Sequence, residues 1–375
     1  MICNLGSKDF MKLLKTNKFA IASALAAVAF GVSSASGADQ LTVVSWGGAY
    51  TKSQVEAYHK PYTKQFGTKI LSENYSGGLA EIKAQVEAKS VKWDLVDLEM
   101  SDAIRGCDEG LLETVDISIL PKGDNGVAAK DDFIDGAITD CAIANIVWST
   151  IYAYDKSKFS GKKPQTMADF FDTKKFPGKR GMRKTPKANL EFALTADGVP
   201  ARDVYKLLAT KEGVNRAFKK LDTIKSSVIW WEAGAQPPQL LADGEVAMTT
   251  AYNGRIFNAI AVEKKPFEIV WDGQVFDMDL WAIPKGAKNK AEAMKFLAFS
   301  TDTKRLAGQA AWISYGPARK SSIPLIGKHA EAGIEMGPHM PTAANNFKNV
   351  VQNDFEFWAD RQDELNERFN AWLAK

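Results

Sequence analysis

Asp277-Met278-Asp279 sets two carboxylates two residues apart, and paired acids are the working groups of glycoside hydrolysis. On a strand, residues two apart share a face, so these carboxylates would stand side by side instead of straddling a bond. A second candidate is Trp46-Gly47-Gly48, where an apolar run ends and a helical pattern begins. Glycines at such a turn can bring backbone N–H groups close to a ligand. The third glycine of a dinucleotide fingerprint and the Gly-Lys-Ser/Thr of a phosphate loop are both missing, since Ala49-Tyr50-Thr51 follows. A tight turn with Trp46 packed into the core explains the same residues. His59, His329 and His339 are scattered without zinc-ligand spacing. His59 is expected in solvent among charged helix neighbours, and His329 and His339 in a surface loop. No nucleophile elbow occurs, so no catalytic residue is assigned and no cofactor or metal is called for.

Positioning these groups falls to elements whose pattern is alternating. Strand-length apolar runs at Leu41–Ser45, Lys69–Glu73, Trp93–Leu98, Ile146–Tyr154, Val246–Ala251 and Phe276–Ile283 are separated by helical patterns such as Leu79–Ser90 and Ala291–Ser300. This predicts α/β lobes with largely parallel sheets, in which ligands bind outside the carboxyl ends of strands. Trp46-Gly47-Gly48 stands at such an end. The chain exceeds what one compact core usually holds, so two lobes are expected. Farther along, Trp230 and Trp231 should face opposite ways if their stretch is extended. Gln236 and Gln239, around Pro237-Pro238, fit either a cleft rim or a helix start.

The first 37 residues read as a secretory signal peptide: Lys8, Lys12, Lys15 and Lys18 precede an uncharged run from Phe19 to Val32, then small residues. Cleavage is expected just before Ala38 or Asp39, giving an exported protein. The leader holds four lysines and one aspartate against 48 basic and 45 acidic side chains overall, so the remainder is nearly neutral and no nucleic-acid partner is implied. Cys107 and Cys141 remain after cleavage, and could pair in an oxidising compartment, although spacing does not decide it.

Six stretches in order carry a family resemblance: WDLVDLEMSDAIRGCDEGLLETVD (93–116), IVWSTIYAYDKSKF (146–159), MADFFDTKKFPGKRGM (167–182), LLADGEVAMTTAYNGRI (240–256), FDMDLWAIPKGAKNKAEAMKFLAF (276–299) and DFEFWADRQDELNERFNAWLA (354–374). With SWGGAY at the mature start, the chain resembles the periplasmic solute receptors of ABC importers, specifically the spermidine/putrescine-binding group. The resemblance implies an α/β, two-lobed periplasmic-binding-protein fold of type II kind, with the ligand in the interlobe cleft. It implies lobe 1 as 38–149 plus 279–322, lobe 2 as 150–278 plus 323–375, hinge closure, a small-molecule ligand, a membrane permease partner and a monomer.

A polyamine needs carboxylates for its ammonium ends and aromatic faces for its methylenes. An ammonium about 4 Å from a carboxylate gains roughly 4 kcal/mol at an effective dielectric of about 20, and an aromatic face adds on the order of 1 kcal/mol. By the resemblance, Trp46, Tyr252 and Tyr315 are ligand walls, Gly47 belongs to the wall turn, and Asp279 is the ammonium-binding acid. Departures matter as much. Arg255 stands where the family carries a second amine-binding acid, Asp277 where it carries an aromatic, and Glu99 at a hydroxyl position. Near Glu191 the pattern fails, because Arg183, Lys184 and Lys187 make that segment basic. Two ligands fit: a polyamine held by Asp277, Asp279 and Glu99 with Arg255 turned aside, which is the main reading, or a zwitterionic ω-amino acid such as 4-aminobutyrate with its carboxylate on Arg255. Arg255 as a surface residue paired with Glu263, a secreted hydrolase using Asp277 and Asp279, and a ferric-ion receptor are the competing expectations.

Overall fold

The computed structural model describes residues 38–375, and the expected signal peptide lies outside the described residues. Ten strands form one mixed sheet: β1 Gln40–Ser45, β2 Lys69–Asn74, β3 Leu95–Glu99, β4 Ala142–Asp155, β5 Arg180–Arg183, β6 Val228–Trp231, β7 Met248–Tyr252, β8 Phe267–Ala282, β9 Gly316–Pro317 and β10 Val350–Gln352. Their order is β2-β1-β3-β8-β4-β7-β5-β6, with β10 beside β8 and β9 beside β4. The outer groups are parallel, β1 with β2 and β3, and β5 with β6 and β7. At the centre, β8 runs antiparallel to β3 and to β4, and β4 antiparallel to β7.

The expectation of largely parallel sheets therefore holds only for the flanks. β4 and β8 are long enough to belong to both halves, and they cross between them in opposite directions. Two apolar cores follow from this. One gathers Leu41, Val44, Leu98, Ile143, Leu280, Trp281 and Phe296, and the other Tyr152, Phe170, Phe192, Phe218, Trp358 and Phe369. β4 contributes Ala142, Ile143, Ala144 and Val147 to the first and Tyr152 and Tyr154 to the second, with register shifts at Ala144/Ile146 and Thr150/Tyr152. The long helix Phe355–Leu373 packs on the second core and reaches the first, where Gln362 donates to Asp102 at 2.9 Å.

Cys107 and Cys141 are joined in a disulfide with Cα atoms 5.7 Å apart. It ties the helix Met100–Asp108 to the segment just before β4, a closure worth about 3–4 kcal/mol in the chain-entropy account.

His59 is a correction. It is 5% exposed and lies 5.7 Å from Phe296, and burial pushes its imidazole down to about 4. The amphipathic face it rides turns inward despite its charged sequence neighbours. His329 is likewise buried, accepting backbone N–H bonds from Glu331 and Ala332, while His339 is half-buried against Phe257. Trp231 is buried and Trp230 half-buried on the other face against Phe369 and Trp372, as an extended stretch requires. Gln236 opens a helix and accepts from the N–H groups of Glu232 and Ala233, so the helix-start reading holds there.

Candidate functional site

Where β4 and β8 pair beside the end of β7, aromatic side chains close around a small chamber of about 20 Å³. Its lining is Trp46, Tyr50, Glu99, Trp148, Tyr252, Arg255, Asp279 and Tyr315. Edge-to-face pairs fix the walls, with Tyr50 against Tyr315 at 5.2 Å and Trp148 against Tyr252 at 5.0 Å. Trp231 packs behind Tyr252 at 5.7 Å.

Asp279 and Glu99 are register partners across β8 and β3, so both carboxylates arrive at one place. Their surroundings differ. Glu99 takes Arg183 Nη1 at 3.0 Å and Lys187 Nζ at 2.8 Å. Burial alone would raise its pKa, but these two cations outweigh burial and bring it down to about 2. Asp279 accepts only the indole N–H of Trp148, at 2.7 Å. Burial, then the charges of Asp97, Glu99 and Asp277, push its carboxyl well above the usual range. Among the described residues no cation lies within ion-pair distance of it.

Asp277 lines an adjoining cavity of about 20 Å³ that shares Glu99, Trp148 and Tyr252 with the first. It accepts from Asn353 Nδ2 and its own strand's Met278 N–H, and Lys187 Nζ is 3.5 Å away. Burial raises its carboxyl to about 6 against the pull of Lys187.

Arg255 is neither turned aside nor on the surface. It is 4% exposed on the helix Asn253–Ala261, and Glu263 bonds Asn258 instead. Its Nη1 donates to the carbonyl of Gly47 and its Nη2 to that of Trp46, both at 2.9 Å, while its buried Nε–H has no partner. No carboxylate lies within ion-pair distance of it among the described residues. This explains the glycine turn. Gly47 and Gly48 have φ of 71° and 59°, and a Cβ on Gly48 would stand 2.8 Å from Arg255 Nη1. Gly47 itself does not line the chamber; its carbonyl holds the guanidinium that does.

Six of the expected residues, Trp46, Glu99, Tyr252, Arg255, Asp279 and Tyr315, thus share one chamber, with Asp277 next door. Tyr50, Trp148, Arg183 and Lys187 were not anticipated as site residues. Trp148 was legible as the alternate residue after Ile146 on an apolar strand, and Arg183 and Lys187 as a basic patch whose acidic partner is remote in sequence. Among the described residues no acid, His and Cys cluster suits a metal, and no helix is long and apolar enough to cross a membrane.

The bacterial extracellular solute-binding protein family matches residues 57–342. The γ-aminobutyric acid-binding protein of Pseudomonas aeruginosa is 43% identical over 348 residues, 93% of this chain and 95% of that one. The spermidine/putrescine-binding periplasmic protein of Salmonella typhimurium is 24% identical over 288 residues, 74% of this chain and 77% of that one. Two solved structures superimpose well. A GABA receptor has a TM-score of 0.75 at 34% identity, covering 90% of this chain and 98% of that one. The binding protein MotA of A. tumefaciens B6, in complex with glucopine, has a TM-score of 0.81 at 31% identity, covering 89% and 99%. The two-lobed fold and the family match agree: this chain belongs to the bacterial extracellular solute-binding proteins and is the substrate-binding receptor of an ABC transporter.

Proposed function

We propose that the receptor captures a zwitterionic ω-amino acid of the 4-aminobutyrate type in the cleft between its lobes. One observation carries the reading: a buried guanidinium without an anion, Arg255, and a buried carboxylate without a cation, Asp279, line the same aromatic chamber. Burial without a counter-charge is unfavourable for both groups, and a ligand bearing both opposite charges supplies the partner each one lacks. The ligand carboxylate meets Arg255, the ammonium meets Asp279, and the methylenes lie against Trp46, Tyr252 and Tyr315. A polyamine would set its second ammonium against Arg255 or against a Glu99 already held by two cations. The higher identity to the γ-aminobutyric acid-binding relative than to the polyamine-binding one supports the same choice.

The lobes are 38–149 plus 279–322 and 150–278 plus 323–375, a division supported by the two apolar cores that β4 and β8 join. The protein acts as an exported periplasmic monomer, after removal of residues 1–37, and delivers its ligand to a membrane permease. Calorimetric titration of the leaderless, ligand-stripped protein with 4-aminobutyrate, putrescine and spermidine tests the ligand. One-to-one binding of 4-aminobutyrate at micromolar affinity or tighter, with the amines far weaker, is expected. Preferential binding of an amine would return the site to the polyamine reading.

A further inference from the structure

We propose that Lys187 is a built-in ammonium filling the subsite that the second amine of a diamine would need, and that it thereby restricts the receptor to ligands with one ammonium. The proposal rests on the ω-amino acid reading of the chamber and says how that preference is enforced.

Lys187 is a buried lysine whose Nζ is ringed by acceptors: Ser101 Oγ at 2.7 Å, Glu99 Oε2 at 2.8 Å and Asp277 Oδ2 at 3.5 Å. An ammonium has three donors, and this nest supplies three acceptors from the end of β3, the helix after it and β8. The lysine enters from the other core, on the segment between β5 and the helix Asn189–Ala196. That segment is tightly held. Asn189 Nδ2 donates to the carbonyls of Arg183 and Thr185, both at 2.7 Å, and Ala188 is locked at a φ of 67°, unfavourable for a residue with a Cβ.

The nest adjoins the ligand chamber, since the cavity beside Lys187 shares Glu99, Trp148 and Tyr252 with it. Asp277 and Asp279 are two residues apart on one strand, a separation of about 7 Å, which a diamine of four or five methylenes spans. The acids for a diamine's second end are therefore present, and the protein's own ammonium occupies them. Arg183 reinforces the block from the same segment by holding the other oxygen of Glu99.

The test is calorimetric titration of the full mature protein with putrescine, comparing wild type, K187A and K187R. K187A, which removes the ammonium and opens its space, is expected to bind putrescine roughly tenfold or more tighter than wild type, and K187R to show no gain. K187M, which keeps the stem and removes the charge, is measured alongside by the rise in Tm that putrescine produces, in case K187A does not fold. The proposal is overturned if the folded variants bind putrescine no better than wild type, or if K187R gains as much as K187A. It is equally overturned if neither K187A nor K187M folds even in putrescine, because Lys187 would then be a structural ion-pair member only. Wild type is titrated with 4-aminobutyrate in the same series. Failure there removes the ligand reading, whereas the putrescine comparison still decides the role of Lys187.

Discussion

Arg255 and Asp279 are 4% and 5% exposed, and neither has an ion-pair partner among the described residues, so the carbonyls of Trp46 and Gly47 and the indole N–H of Trp148 replace only part of their hydration. Burial and the neighbouring carboxylates push the Asp279 carboxyl up, toward its protonated form. A ligand ammonium reverses that preference. Binding therefore expels the proton, and affinity must fall as pH falls, because acid stabilises the free state's protonated carboxyl. As pH falls through the range in which the raised Asp279 carboxyl takes up its proton, the affinity for 4-aminobutyrate is expected to drop, with proton release visible as a buffer-dependent heat. Asp279→Asn should flatten this dependence and weaken binding by about 2–5 kcal/mol. Binding that is pH-independent and proton-neutral would show that Asp279 is not the ammonium's partner.

At the scale of elements, the turn between β1 and the helix Gly48–Gln54 exists to let Arg255 in. Gly48→Ala would set a Cβ 2.8 Å from Arg255 Nη1 and strain a left-handed φ of 59°. Gly67→Ala shares the second cost alone, since its φ is 82° and nothing lies within 4 Å of its Cβ direction. Both variants should lose about 1 kcal/mol or more of stability in denaturant unfolding. Only Gly48→Ala should also lose affinity for 4-aminobutyrate, by roughly tenfold, and equal affinities in the two would detach the turn from the site. Much of this frame was legible: SWGGAY and the strand ends bracketing Asp279 identify the walls once the family likeness is seen. The first half of β8 was not, because Glu268, Asp272 and Gly273 interrupt its apolar alternation. Nor was the partner of Lys187, which stands 88 residues earlier at Glu99 and is reached only through the register of β3 against β8. Local periodicity reports the face a residue occupies, whereas the charge that meets it is fixed by strand order.

At the scale of the molecule, the two cores are joined by β4 and β8 and are also bridged by polar contacts around the chamber. Arg183 and Lys187 reach from the second core to Glu99, Arg183 Nη2 reaches the carbonyl of Ser76, and Arg255 reaches those of Trp46 and Gly47. Gln362 on the last long helix adds its bond to Asp102. These bonds tie the two cores together around the chamber, and the Thr150/Tyr152 register shift in β4 lies between the cores. A closed compact chain of this length has a radius of gyration of about 20 Å. Glu99→Gln deletes the one carboxylate that Arg183 and Lys187 both grip from across the gap, leaving the two neighbouring cations without it. Small-angle X-ray scattering should then show a larger radius for the ligand-free variant than for ligand-free wild type. Saturating 4-aminobutyrate should shrink the variant toward the wild-type value, because the proposed ligand joins Arg255 on the helix Asn253–Ala261 to Asp279 on β8. Identical radii with and without the substitution would mean that the strands alone hold the lobes together and that Glu99 serves only the electrostatics of the chamber.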